Sequence, residues 1–357
     1  MINWNRMKQL TQAAGAPGYE NPVRSIMEQE LSLLSENVIS DHLGSIFGIK
    51  TGFAEGPKVM VAGHLDEVSF MVTGIRSDGL LVFNGLGGWW SQTLPSQRVQ
   101  ILTRSGKLIP AVISATPPHA LSAEQRKKPI PMKKMFLDVG ARSKEDVEEF
   151  GIRLGDVAIP DGPYQELEGG YRILSKAWDN RFGCGMSLEL LEDLQDQVHP
   201  NVVYAGATVQ EEVGVRGAAT ASNLVEPDVF FAVDVGPAAG DIPGKSDGFG
   251  KIGKGVLIRL YDRSMITSPQ MRDFLLDTAE EENIPYQVFV SPGGGTDAGR
   301  VHLMSDGIPS AAIGICGRYI HSHSTIIDKE DAEATKVFLK ALIKRLDKSV
   351  YETLLSR

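Results

Sequence analysis

Two adjacent carboxylates are the first residues in this sequence whose types and spacing suggest chemistry. Val209-Gln210-Glu211-Glu212-Val213-Gly214 closes an apolar run, Val202 to Val209, that reads as a buried strand. Neighbouring side chains of extended backbone point to opposite faces. The doublet therefore predicts two separate jobs, one carboxylate toward a cation and the other toward a substrate or water. A Glu-Glu pair alone is equally well a solvated loop, and its company decides between the two. His64, Asp66 and Glu67 follow the apolar run 58–62, and Trp178-Asp179-Asn180 follow 171–175. Asp234 sits inside Phe231-Ala232-Val233-Asp234-Val235-Gly236, and Gly317-Arg318-Tyr319-Ile320-His321-Ser322-His323 follow 310–315. Five segments thus bring imidazole or carboxylate groups to the ends of apolar strands.

Each residue has an ordinary explanation when taken singly. His64 fits a hydrogen-bonded core histidine, and Asp179 fits a helix cap. Asp234 is harder to dismiss, because a carboxylate between two valines is costly to bury without a cation or partner. Together the set suits Zn²⁺, Co²⁺ or Mn²⁺ better than the all-oxygen cages of Ca²⁺ or Mg²⁺. Two ions about 3.5–4 Å apart would need one bridging carboxylate, with imidazole and carboxylate at each end. Residue types alone leave open whether His321 or His323 belongs to the set.

The elements that must position these groups are those of an α/β fold. Helical spacing covers 3–14 and 21–35, with Asn21 as a cap and Pro22 at the first position. Apolar runs at 46–50, 58–62, 202–209, 229–235, 255–261, 286–290 and 310–315 predict strands. Helices are predicted at 180–194, 271–282 and 332–346. The alternation implies a mixed, largely parallel sheet flanked by helices, with ligands gathering outside the strands' carboxyl ends. Between 71 and 165 the texture changes to short alternating segments at 80–83, 99–103 and 107–114, punctuated by Gly and Pro. These predict a small β-barrel or sandwich inserted into the main fold. The expected organisation is a discontinuous catalytic domain, 1–70 and 166–357, around an inserted β domain, 71–165. Ser122 to Lys134, with five Lys and Arg, reads as an exposed mobile loop.

Composition narrows the function classes. A net charge of -9 argues against nucleic acid as a partner. No apolar run has membrane-spanning length, and Met1 to Arg6 opens an amphipathic helix and not a secretory leader. Cys184 and Cys316 lie in small apolar surroundings and read as buried thiols. A cytoplasmic location is expected.

Four motifs in order carry a specific resemblance: Ala62-Gly63-His64-Leu65-Asp66-Glu67, Lys176-Ala177-Trp178-Asp179-Asn180-Arg181, Gln210-Glu211-Glu212-Val213-Gly214 and Arg318-Tyr319-Ile320-His321-Ser322-His323. Over essentially the whole chain, inserted β domain included, the sequence resembles the tetrahedral di-metal aminopeptidases of glutamyl and deblocking type, a family that also carries an endoglucanase label. Gly293-Gly294-Gly295-Thr296-Asp297-Ala298 matches a further family segment near the site. The resemblance implies a zinc-exopeptidase-like fold binding two divalent ions per subunit, Zn or Co with Mn as a third option. It implies that Asp179 bridges the ions and that His64, Asp234, Glu212 and His321 complete the ligand set. It also implies that Glu211 is the general base for the attacking water and that Asp66 orients His64. The Arg-Tyr-x-His-Ser match selects His321, leaving His323 a neutral or structural neighbour.

The implied reaction is removal of N-terminal residues from short peptides at neutral to alkaline pH, with a preference for Glu or Asp. Arg259 is the cation proposed for that preference, against the alternative of a surface arginine paired to Asp262. The family's dodecameric tetrahedral cage is the implied assembly. Competing readings are an N-acyl amino-acid deacylase or carboxypeptidase on the same scaffold, a glycosidase, or a non-catalytic metal- or peptide-binding scaffold. Related enzymes of the first kind carry a different, dimerising insert, and a glycosidase needs paired carboxylates without metals.

Overall fold

A computed structural model describes residues 1–239 and 250–356. Strands β1 (Asn37–Ser40), β2 (Ile46–Thr51) and β3 (Lys58–His64) come first. β4 (Ser69–Ile75), β5 (Leu81–Leu86), β6 (Arg98–Leu102), β7 (Leu108–Ser114), β8 (Phe136–Asp138) and β9 (Val157–Pro160) close into an antiparallel barrel of order β4-β5-β8-β7-β6-β9. The chain then forms β10 (Gln165–Glu166), β11 (Arg172–Ser175), β12 (Val202–Thr208), β13 (Val229–Pro237), β14 (Val256–Tyr261), β15 (Tyr286–Val290), β16 (Ser310–Gly317) and β17 (Thr325–Asp328).

The main sheet has eight strands in the order β1-β2-β12-β3-β13-β16-β14-β15. Its centre, β12-β3-β13-β16, is parallel, while β2 runs antiparallel to β12 and β14 antiparallel to β16. This is the expected mixed, largely parallel α/β sheet with a small inserted barrel. Burial explains the contrast in sequence texture. β3 and β16 are buried on both faces and read as continuous apolar runs. β7 alternates exposed and buried residues, as a barrel wall with one wet face must. The barrel has a core of its own around Phe70, Phe83, Val99, Ile101, Ile113 and Leu137.

The helix Trp178–Asp193 is the central support. Its residues from Asn180 to Leu191 are buried, so it shows little amphipathicity. It lies across β3, β12 and β13 and comes closest to the sheet at two glycines. A Cβ on Gly63 would overlap the backbone of Gly183 and Cys184. Asp179 and Asn180 are not helical in conformation. Asn180 caps the regular turns after it, its Oδ1 accepting the Gly183 N–H at 2.9 Å. Asp179 is therefore not a cap, and its side chain is released for other contacts.

Several expectations change. Asn21 does not cap the second helix, which begins at Asn21 with Glu20 in the cap position. A helix absent from the expected set covers Arg216–Val225. The basic segment 122–134 is more than a loop. It holds a short helix, Ala123–Arg126, with a Ser122 capping box and a 3₁₀ turn at Met132–Lys134. Ile130 and Met132 pack against the barrel core while the lysines remain exposed. Periodicity cannot reveal so short a helix. Among the described residues, no helix is long and apolar enough to cross a membrane.

Candidate metal centre

Strand register aligns the first two groups. β12 and β3 pair with Thr208 opposite His64, the last residue of β3. β13 pairs with β3 through Ala232 opposite Ala62, which sets Asp234 level with His64. Asp234 lies opposite Gly314 of β16, and a Cβ at Gly314 would collide with the Asp234 backbone. Beyond β16, left-handed backbone at Tyr319 (φ 62°) and His321 (φ 56°) turns the chain back so that His321 meets Asp179.

Asp179 is the hub. His64 Nε2 lies 3.1 Å from Asp179 Oδ1, and His321 Nε2 lies 3.3 Å from Oδ2. Two groups share it: His64, Asp179 and Asp234, and Asp179, Glu212 and His321. Within each, one ligand atom per residue lies within 4.8 Å of the others. Each imidazole is fixed from behind. His64 Nδ1 donates to the Asp66 carbonyl at 3.0 Å, and His321 Nδ1 donates to the Gly88 carbonyl of the barrel at 2.8 Å. With Nδ1 donating, a neutral imidazole presents Nε2 as an acceptor. Acceptor nitrogens facing carboxylate oxygens are stable only with a proton or a metal cation between them. The buried Oε1 of Glu212 has no hydrogen-bond partner, which also fits a cation. The residues present therefore fit a pair of divalent ions.

Glu211 and Glu212 are not in a strand, so alternation of strand side chains does not separate them. β12 ends at Thr208, and Gln210 takes a left-handed conformation (φ 54°), which costs a non-glycine residue roughly 1–2 kcal/mol. A turn follows, with the Glu211 carbonyl accepting the N–H groups of Gly214 and Val215. Asp66 holds the turn from below. Its Oδ1 accepts the Glu211 N–H and its Oδ2 the Glu212 N–H, each at 3.0 Å. Glu20 Oε1 accepts the Gln210 N–H at 3.2 Å. The Asp66 carboxylate thus chiefly grips the turn, while its backbone carbonyl orients His64. The Glu211 carboxylate stands 3.8 Å from His64 Nε2 and belongs to neither metal-holding group.

The electrostatics follow from crowding acids out of water. Burial raises Glu212 to about 8 and Asp234 to about 6, in both cases with help from the Asp179 charge. Burial and neighbouring acids also raise Glu211. Burial opposes a charged His64, yet Asp179, Asp66 and Glu211 hold it well above the usual imidazole range. His321 is carried against burial to about 10 by Asp179 and Glu212. Burial pushes the Asp179 carboxyl up, but the two imidazoles hold it well below the usual range.

Other expected residues fall around this core. Glu67 does not join it. Glu67 is buried against Lys176 Nζ (2.7 Å) and Arg181 Nη2 (3.3 Å). His323 is buried beside Trp89, and burial lowers it to about 4, so it is neutral and in neither group. Arg259 lines the same cavity of about 600 Å³ as His64 and Asp179, together with Phe289 and Gly293 to Gly295. It is also paired to Asp262 at 3.3 Å and lies over the Phe289 ring, and it is buried, so the expected pairing to Asp262 is present but the surface position is not. Asp297, in the glycine-rich segment singled out above, places a buried carboxylate that accepts the Thr208 hydroxyl, whereas sequence reasoning misses Glu20 and the Gly88 carbonyl. Their signals are contacts across 190 and 233 positions, which no local pattern carries.

The pH dependence of the chelated protein follows. Unfolded carboxylates titrate near about 4, so keeping Glu212 and Asp234 buried costs progressively more as pH rises from there to their raised values, about 8 and about 6, and no more above them. Stabilisation from the raised histidines is complete below about 6.5 and is lost as pH climbs through their folded values. The depressed Asp179 contributes a pH dependence only at strongly acidic pH. Between pH 6 and pH 9 the raised glutamates and the raised histidines both make the chelated protein melt lower at the higher pH, and added divalent metal should recover more at pH 9. Thermal melts at the two pH values check this, and an equal or higher melting temperature at pH 9 would contradict it.

Comparison with known proteins identifies the family. The family model for M42 glutamyl aminopeptidases matches residues 44–338. The glutamyl aminopeptidase of Lactococcus lactis subsp. cremoris is 41% identical over 346 residues, covering 96% of each chain. The crystal structure of a TET aminopeptidase from a marine-sediment archaeon of the Thaumarchaeota superposes with a TM-score of 0.95 at 40% identity, covering 98% of each chain. The TET1 peptidase of Pyrococcus horikoshii, described as assembling into a tetrahedron or a large octahedral shell, matches with a TM-score of 0.85 at 32% identity, covering 96% of this chain and 99% of that one. This chain belongs to the M42 glutamyl aminopeptidase family and is a metallo-aminopeptidase.

Proposed function

We propose that the chain removes N-terminal residues from short peptides using two divalent ions held by His64, Asp179, Glu212, Asp234 and His321. The observation that carries this is the sharing of Asp179 by two imidazole-and-carboxylate groups, with one imidazole on each of its oxygens. The ions, when bound, supply a polarised carbonyl and an acidified water. Asp179 would be shared by both ions, His64 and Asp234 would hold one, and Glu212 and His321 would hold the other. Glu211 is the general base. It stands beside the cluster without belonging to either group, and burial and neighbouring charge raise its basicity. Asp66 sets the direction of Glu211 and Glu212 through their amides and of His64 through its carbonyl. The ligand set lacks thiolate and accommodates Zn²⁺, Co²⁺ and Mn²⁺, with Zn²⁺ or Co²⁺ the proposed occupants.

The Glu211→Gln variant is expected to keep its metal and lose about 10²–10⁴-fold in kcat, whereas Glu212→Ala is expected to lose metal. Metal content by mass spectrometry and kcat on an aminoacyl anilide measure the two effects. Near-normal turnover by Glu211→Gln would remove it as the base.

Acidic preference is proposed to rest on Arg259, the cation facing the cavity. Asp262 already neutralises part of its charge, so the preference is expected to be modest. After chelation and readdition of each metal, Glu-, Leu- and Lys-anilides are compared. Arg259→Ala should lower the Glu-to-Leu ratio of kcat/KM by about tenfold, the worth of one hydrogen bond to a charged group. An unchanged ratio would exclude Arg259.

We further propose the dodecameric tetrahedral cage, supported by the relative described as forming a tetrahedron. Light scattering should give twelve times the 38.7 kDa chain mass, and a monomer at working concentration would refute it.

A further inference from the structure

Glu20 is a buried acid that the reaction as proposed does not use. It precedes the helix Asn21–Leu34 but does not cap it. Its carboxylate turns away, and Oε1 accepts two amides, Gly18 N–H at 2.8 Å and Gln210 N–H at 3.2 Å. We infer that Glu20 is a positioning residue for the general base, holding Gln210 in its left-handed conformation so that Glu211 meets the metal pair from one fixed direction. This rests on Glu211 being that base.

Three consecutive amides, of Gln210, Glu211 and Glu212, are taken by two buried carboxylates, Glu20 and Asp66. Asp66 fixes the two after the left-handed residue, and Glu20 fixes the left-handed residue itself. Without Glu20 the half-buried Gln210 N–H would lose its acceptor, and the peptide before Glu211 would be free to rotate toward ordinary backbone geometry. Glu20 is itself held in position. The Tyr19 N–H donates to the Ala16 carbonyl at 2.8 Å, and the Tyr19 hydroxyl donates to the Gly155 carbonyl at 2.9 Å. The turn that carries Glu20 is therefore anchored between the barrel and the end of β12. Glu20 does not line the cavity around the metal-holding groups, so any effect on turnover passes through the backbone.

The test is steady-state kinetics on a leucyl or glutamyl anilide with Glu20→Ala, Glu20→Gln and Glu20→Asp, each checked for metal content. Displacement of a catalytic group by about 1 Å costs up to roughly 10²-fold. Glu20→Ala should therefore lose about ten- to a hundredfold in kcat, with KM within about threefold and metal retained through the Asp66 grip. Glu20→Gln keeps an acceptor oxygen at the same reach and should recover most of the rate. Glu20→Asp keeps charge and the neighbouring Gly18 bond but falls short of Gln210, so it should resemble Glu20→Ala, and it serves if the alanine variant does not fold. Wild-type kcat in both the Ala and Asp variants overturns the inference, as does a glutamine variant as slow as the alanine one. Glu211→Gln run in parallel separates the two levels. If it is inactive while the Glu20 variants are unaffected, only the present inference fails; if it is active, the assignment of the base fails first.

Discussion

One carboxylate, Asp66, couples the ends of two strands. Its oxygens are spent on the amides of Glu211 and Glu212, and its own carbonyl holds the His64 imidazole. The Asp66 side chain is fully buried, so these charge-assisted bonds are strong and their loss would be severe. The two glutamates leave a fixed root in different directions, which is how one doublet serves two purposes. Strand alternation would have achieved the same separation with less constraint. A turn clamped at consecutive amides fixes the peptide planes as well as the side chains.

The rest of the main domain supports this clamp. Glycine contact between β3 and the helix Trp178–Asp193 brings Asp179 close to His64. The buried trio of Lys176, Glu67 and Arg181 ties the segment after β3 to the start of that helix. Such buried charges seldom add stability relative to apolar packing, but removing one partner leaves another uncompensated. Their effect is to fix relative position on both sides of the centre. Crowding Asp179, Glu211, Glu212 and Asp234 into one place is tolerable only with protons or cations among them.

Much of this is legible in the chain because parallel strands buried on both faces must be apolar throughout. A His, Asp or Glu at the end of such a run is conspicuous, and the structure brings His64, Asp179, Glu211, Glu212, Asp234 and His321 together. The barrel is legible as a change of texture, but β4, β8 and β9 are too short or irregular to stand out individually. Gln210 reads as a continuation of the strand because left-handed backbone at a non-glycine residue leaves no mark in composition. Glu20 reads as a turn residue, since its partner lies 190 positions away. Asp66 is conspicuous next to His64, but its carboxylate is bonded to amides, and amides look the same in every sequence.

The Gly88 carbonyl gives the barrel a standing that its separate core conceals. Surface insertions are usually the parts of a fold most easily replaced. Here the insert supplies the acceptor that commits the His321 proton to Nδ1. A substitute module of the same length and stability, without a carbonyl at that point, would leave the imidazole free to turn and to exchange tautomers. The catalytic unit is therefore not the main domain with an accessory attached. Recombination that exchanged the insert would have to conserve one backbone oxygen, and at a residue without a side chain, since a Cβ on Gly88 would come within 3.1 Å of His321 Nδ1.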